Sequence, residues 1–170
     1  MPSNKSHPIL LVAGVVLLAY IFANVEIQIE GDKGWAAGLP VTFRVEQHWL
    51  LDIFWGGRAM TGYHAYIFPF MFLFFQFPML MFWQWTLKLQ ARGLACVMFF
   101  WVAEDVLWFI LNPAFGWAKL TPAGVPWHKH WVLGLPTDYW TFTAVAGVLF
   151  WYSFTSRFTA KAQSTQRTDI

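Results

Sequence analysis

Apolar residues run almost unbroken through four stretches of this chain, 8–24, 60–85, 94–111 and 139–154, and the polar residues collect between them. Each run can cross a hydrocarbon core about 30 Å thick as a helix. Pro69 and Pro78 fall inside the second run, where a membrane helix tolerates them. The pattern predicts an all-α integral membrane protein: a four-helix transmembrane bundle in one domain over 1–158, with a disordered polar tail over 159–170. Four crossings leave both termini on the same side.

Between the first two runs the period changes. Residues 25–30 and 41–46 alternate apolar with polar, as half-buried strands do. Gly31-Asp32-Lys33-Gly34 supplies a turn signal and Leu39-Pro40 a re-entry, so a small β-hairpin on the outer membrane face is expected. From Arg44 onward a helical period competes: Arg44, His48 and Asp52 recur every four residues beside the apolar row Val45, Trp49 and Ile53. This is the signature of an interfacial helix, which Gly56-Gly57 ends before the second run. The other long connection, 112–136, holds too many Pro and Gly residues for a long element and reads as an ordered loop anchored by Trp117, Trp127 and Trp131.

Of the 170 residues, 58% are hydrophobic and only 12% charged, which fits a membrane protein and not a soluble domain. Lys5, Lys88, Arg92, Arg157, Lys161 and Arg167 concentrate in the short flanks and the tail, which puts both termini in the cytoplasm under the positive-inside rule. The longer loops mix Lys33, Arg44, Arg58, Lys119 and Lys129 with acids and fall outside the cytoplasmic (inner) membrane. A net charge of +2 without a basic cluster excludes nucleic acid as a partner. Cys96 is the one cysteine, so an internal disulfide is excluded. Lys5 ahead of an apolar stretch with Ala23 also fits a cleaved leader, but the run continues without a small-x-small site, and retention of the first span is expected.

The costliest feature is the adjacent pair Glu104 and Asp105 inside an apolar helix. A charge at the bilayer centre costs roughly 2.5–3.5 kcal/mol on insertion scales, so both acids must find partners, protons or a metal. At helical spacing Trp101, Glu104, Asp105, Trp108 and Asn112 share one stripe, which leads from mid-membrane to the outer loops. Repulsion between the two acids leaves one protonated or both sharing a cation, and a neutral carboxylic acid is a proton donor. They are therefore the candidate catalytic residues.

Four of the five histidines lie on the same side. His48, His64, His128 and His130, with Glu104 and Asp105, form the candidate metal ligands for a divalent ion, zinc or iron. The competing reading is structural: interfacial His and Trp are common, and the acids can bond to Arg44, Arg58, Tyr63 or Tyr139 to fix helix packing. The Phe and Met residues of 68–81 suit lipid-facing or packing surface, with a lipid or quinone cavity as the alternative. Walker, dinucleotide-binding, CxxC and GxSxG motifs are absent.

The pieces Glu26-Ile27-Gln28-Ile29-Glu30-Gly31, Thr61-Gly62-Tyr63-His64, Glu104-Asp105 with Trp108-Phe109 and Asn112-Pro113, and Trp127-His128 with Asp138-Tyr139 resemble a functionally uncharacterised group of small prokaryotic four-helix integral membrane proteins. That resemblance implies a membrane bundle and supplies neither an activity nor a cofactor. The expectation is an outward-facing polar site that holds a divalent metal and converts a lipid-soluble substrate. Two rivals stand beside it: an accessory subunit pairing with a partner membrane protein or a second copy of itself, and a proton-coupled small-solute transporter, which would need to dimerise.

Overall fold

A computed structural model describes residues 7–40 and 42–155; the tail expected over 159–170 lies outside them. Among the described residues there are five α-helices: α1 His7–Glu30, α2 Trp49–Phe54, α3 Gly62–Met81, α4 Leu87–Leu111 and α5 Thr137–Phe154. Pro8–Glu30, Gly62–Met81 and Leu87–Leu111 are long and apolar enough to cross a membrane. α5 has 18 residues and rises about 27 Å. Thr137, Asp138, Thr141 and Thr143 make its first turns polar.

Side-chain ties between helix ends fix the directions. Asn112 at the end of α4 donates from Nδ2 to the Gly31 carbonyl at 2.9 Å, so α1 and α4 run in parallel. At the start of α3, Tyr63 donates to Glu26 near the end of α1 at 3.0 Å, and Arg92 early in α4 donates to the Ser153 carbonyl late in α5 at 3.1 Å. Therefore α3 and α5 run opposite to α1 and α4. Both long connections, 31–61 and 112–136, gather at one end of the bundle, called here the loop end.

α4 is the central helix. Val15 and Ala19 of α1 pack with Met71, Cys96 and Phe100 in one cluster, and Ala23 packs with Trp108, Phe109, Leu120, Val125 and Tyr139 in another. The small Ala19 and Ala23 let α1 lie close against α4, the means by which membrane helices gain dispersion contacts without a hydrophobic driving force.

The expected hairpin of 25–30 with 41–46 does not form. Residues 25–30 continue α1 to Glu30. A helix satisfies its own backbone groups in an apolar medium, whereas an isolated two-stranded ribbon is marginal. The helical path also keeps Glu26 and Glu30 on the stripe of Val15, Ala19 and Ala23, all of them buried. Strand β1, Arg44–Val45, pairs instead with β2, Met60–Thr61. The strand reading therefore holds at 44–45, and the helix begins only at Trp49, capped by His48, whose Nδ1 accepts from the Leu50 amide at 3.3 Å.

Two further boundaries move. α4 starts at Leu87 instead of 94, because the Thr86 hydroxyl caps it by accepting from the Leu89 amide at 3.1 Å. α3 stops at Met81 instead of 85, where Trp83 turns into the left-handed region at φ 49°. In the 112–136 connection, β3 Trp131–Val132 and β4 Leu135–Pro136 form a tight hairpin. Leu133 and Gly134 both have positive φ, the demand of a two-residue turn that matches strand twist.

Asn112 joins two helix ends: besides the Gly31 bond, its Oδ1 accepts from the Ala114 amide at 2.9 Å. Asn112→Ala should orphan both groups at a cost of about 1–3 kcal/mol. Thermal unfolding of the detergent-solubilised protein should shift down by several degrees, and an unchanged midpoint would remove Asn112 as the tie between α1 and α4.

Candidate functional site

Successive residues of a helix point about 100° apart, and Glu104 and Asp105 consequently enter different surroundings. Glu104 is buried and faces α1, where its carboxyl group lies close to that of Glu26. Glu26 also accepts from the Tyr63 hydroxyl at 3.0 Å. One turn later on α1, Glu30 accepts from the Ala36 amide at 2.5 Å. Two buried carboxyl groups this close repel when both are ionised, which favours a proton on one of them. Glu26, Glu30 and Glu104 make no ion pair among the described residues.

The turn that serves Glu30 is strained. Trp35 and Ala36 have φ of 44° and 54°, and non-glycine residues hold such angles only where their surroundings enforce them. Trp35 is held on every side: its ring stacks on His64 at 3.7 Å between centroids, the Arg58 guanidinium lies 4.4 Å from it, and its Nε1 donates to the Ala59 carbonyl at 2.7 Å. Gly34, at φ 63°, presses against Trp127 and Trp108, so closely that a Cβ there would stand 2.8 Å from the Trp127 ring. Glycine is required at this position on both counts.

Asp105 turns toward the cations. Its Oδ2 accepts from the Tyr139 hydroxyl, lies 3.7 Å from the Arg58 guanidinium and 3.4 Å from His128 Nε2. Arg58 pairs with Asp138 through its other terminal nitrogen. His128, wholly buried, stands between the two carboxylates, with Nδ1 3.6 Å from Asp138 Oδ1. The backbone builds this convergence: Gly56 and Gly57 take φ of 56° and 79°, and the Lys129 amide donates to the Gly56 carbonyl at 3.2 Å, pinning the His128 segment over the turn that presents Arg58.

Both clusters border one cavity of about 550 Å³. Glu26, Glu30, Glu104, Asp105, Asp138 and Arg58 line its polar part, and Phe68, Phe72, Val97, Met98, Val102 and Phe142 its apolar part. His64 is also at the wall, with Nδ1 2.7 Å from the Thr61 hydroxyl. Two buried side-chain atoms of α4, Glu104 Oε1 and Trp108 Nε1, have no hydrogen-bond partner among the described residues. Buried polar groups are nearly always paired, so these two are exceptions, and the packing closes both off from solvent.

The six candidate metal ligands do not come together. Glu104, Asp105 and His64 line the cavity, and His128 stands behind it against Asp105. His48 is an exposed helix cap, and His130 sits beside the exposed Asp52 at 3.7 Å between Nε2 and Oδ1. The chain between His128 and His130 does not turn both rings to one side. Among the described residues no three His, Cys, Asp or Glu side chains are arranged to hold a metal ion. Of the expected bonding partners, Arg58 and Tyr139 reach Asp105 and Tyr63 reaches Glu26, while Arg44 pairs with Glu46.

Glu26, Glu30 and Asp138 are wall residues that the candidate set omitted. The first two were legible in the spacing of Ala19, Ala23, Glu26 and Glu30, steps of four, three and four that define one face of a helix. Asp138 had no such signal, because its role depends on Arg58, 80 residues away. Comparisons with known protein families, with curated proteins and with solved structures give no match.

Removing Arg58 should strand two carboxylates. Arg58→Leu is expected to destabilise the protein by about 3–5 kcal/mol, the cost of breaking a buried pair from one side. Adding Asp105→Asn and Asp138→Asn should recover much of the loss. Unfolding of the single and triple variants checks this, and additive losses would show that Arg58 does not neutralise these acids.

Proposed function

We propose that this protein takes a lipid-soluble, amphiphilic molecule from the bilayer into the α3–α4–α5 cavity and exchanges protons with its polar end. The cavity itself supports the reading: an apolar chamber of about 550 Å³ that ends in carboxyl groups on a membrane helix is the form of a site for a long apolar body with one polar head. In this reading α5 is the fourth crossing, the termini are cytoplasmic and the loop end faces outward, as the Lys and Arg distribution favours.

The two acids take different roles. Glu104 and Glu26 both line the chamber, and the repulsion between two adjacent buried acids favours a proton on one of them, which makes the pair the donor. Asp105, facing Arg58 and His128, is held as the acceptor, and Tyr139 orients it. Asp105 and Glu104 both line the chamber, so one bound head can meet both groups. Proton exchange of this kind needs no metal, and the protein is enzymatic in this reading if the proton moves to carbon and a binding protein if it does not.

A photoreactive diazirine on a long-chain alcohol tests occupancy. In native membranes the probe should label peptides 65–72 and 97–102, and Ala65→Trp, which fills the chamber, should abolish that labelling while leaving the thermal transition intact. Labelling confined to the lipid-facing side of α1, at Ile9, Leu17 and Ile21, in both proteins would refute the reading.

A further inference from the structure

We infer that His64 offers the chamber a hydrogen-bond donor at Nε2 and that the occupant meets it with a neutral carbonyl oxygen; this rests on the proposed binding reading and specifies the chemistry of the head. His64 is 2% exposed and lines the chamber from the first turn of α3. Its ring is held in place. It stacks on Trp35 at 3.7 Å between centroids, Tyr63 and Phe68 flank it at 5.3 and 5.5 Å, and Nδ1 lies 2.7 Å from the Thr61 hydroxyl. Nε2 has no hydrogen-bond partner among the described residues, and the packing does not seal it as it seals Glu104 Oε1 and Trp108 Nε1. One nitrogen of a buried imidazole therefore opens on the chamber.

The Thr61 hydroxyl decides which nitrogen carries the proton. Thr61 is buried at the N-cap position of α3, yet its hydroxyl does not cap the helix, and the contact with Nδ1 is its one hydrogen bond among the described residues. Were Nδ1 the donor, the hydroxyl proton would be buried without an acceptor, at the full desolvation cost of that group. With the hydroxyl donating to Nδ1 both groups are satisfied, and the imidazole proton stands on Nε2. A buried N–H that faces a chamber calls for an acceptor from the occupant.

The surroundings of the ring narrow the choice of head. Its polar neighbours Thr61, Trp35 and Tyr63 already donate, to Nδ1, to the Ala59 carbonyl and to Glu26. His64 makes no ion pair and no second hydrogen bond among the described residues, so an alcohol at Nε2 would bring a proton with no acceptor at hand. An ammonium head brings donors alone. A carboxylate can accept, but Asp105 and Asp138 already share the Arg58 guanidinium, and a third anion adds repulsion. A carbonyl oxygen is an acceptor without charge and without a proton of its own. The Trp35 ring that stacks on His64 also carries Arg58, 4.4 Å away, so a carbonyl at Nε2 lies next to the charged end of the chamber.

The test uses the full chain in nanodiscs of diether phospholipid, which bring no carbonyl of their own, and methyl undecyl ketone isotope-labelled at the carbonyl carbon. In the infrared the labelled C=O band should gain a lower-frequency component that empty nanodiscs lack, the mark of an accepted hydrogen bond. Against the diazirine alcohol the ketone should displace chamber labelling at a mole fraction about three- to tenfold lower than its isostere with CH2 in place of the oxygen, the ratio that one neutral hydrogen bond supplies. Dodecanol, dodecylamine and lauric acid should each fall short of the ketone. His64→Phe, which keeps a ring against Trp35, should erase both the band and the preference, whereas His64→Gln, which keeps a donor nitrogen, should retain them. Diester phospholipid separates two sources of the same chemistry: labelling that falls in it identifies the lipid's own ester carbonyl, and unchanged labelling identifies a separate ketone or aldehyde. Equal displacement by ketone and isostere, a preference for dodecanol, or a shifted band that survives His64→Phe would overturn the inference and leave the binding reading standing. Absence of chamber labelling in the native chain would strike the binding reading instead.

Discussion

Carboxyl groups on an apolar helix need compensation from outside that helix, and this demand organises the loop end of the molecule. α4 carries Glu104 and Asp105 in an apolar run where its own backbone cannot serve them, so other elements must approach. α1 brings Glu26, the turn after α2 brings Arg58, the second long connection brings His128, and α5 brings Tyr139. Each contributes through a different local device: a continued helix, a Gly-Gly turn, a backbone bond from Lys129 to Gly56, and a helix start. Four separate segments thus converge because one helix holds two groups that it cannot satisfy.

The continuation of α1 shows how a tertiary demand overrides a local pattern. Residues 25–30 alternate as a strand would, yet the same six residues also complete a helical face with Ala19 and Ala23. Period two describes the sequence neighbours, and period 3.6 describes what meets α4. The second prevails because backbone groups at this depth must be paired within the segment. The consequence reaches function, since only the helical path sets Glu26 opposite Glu104.

How much was readable in advance follows from the range of the forces involved. Three helices long and apolar enough to cross a membrane, the placing of the acids on one of them and the Gly-Gly stop before Arg58 are written in runs and spacings of a few residues. The cluster around Arg58 was not, because Asp138 and His128 reach it through separations of 80 and 70 residues. Histidine was the misleading signal: residue type suggested a shared ligand set, whereas His48 caps a helix, His64 stacks on Trp35, and His130 stays at the surface. What imidazoles do is decided by neighbours that no local motif names.

The opposition between a structural and a functional reading of the acid pair resolves residue by residue. For Asp105 the structural account is nearly sufficient. Its Oδ2 gathers Tyr139, Arg58 and His128, and that network ties α5 and both loops to α4. The same account is less complete for Glu104, which joins no ion pair among the described residues and has one buried oxygen without a hydrogen-bond partner there. Two adjacent carboxyl groups of similar chemistry have therefore been divided by 100° of helix rotation between two surroundings, the cations Arg58 and His128 for Asp105 and the α1 acid Glu26 for Glu104.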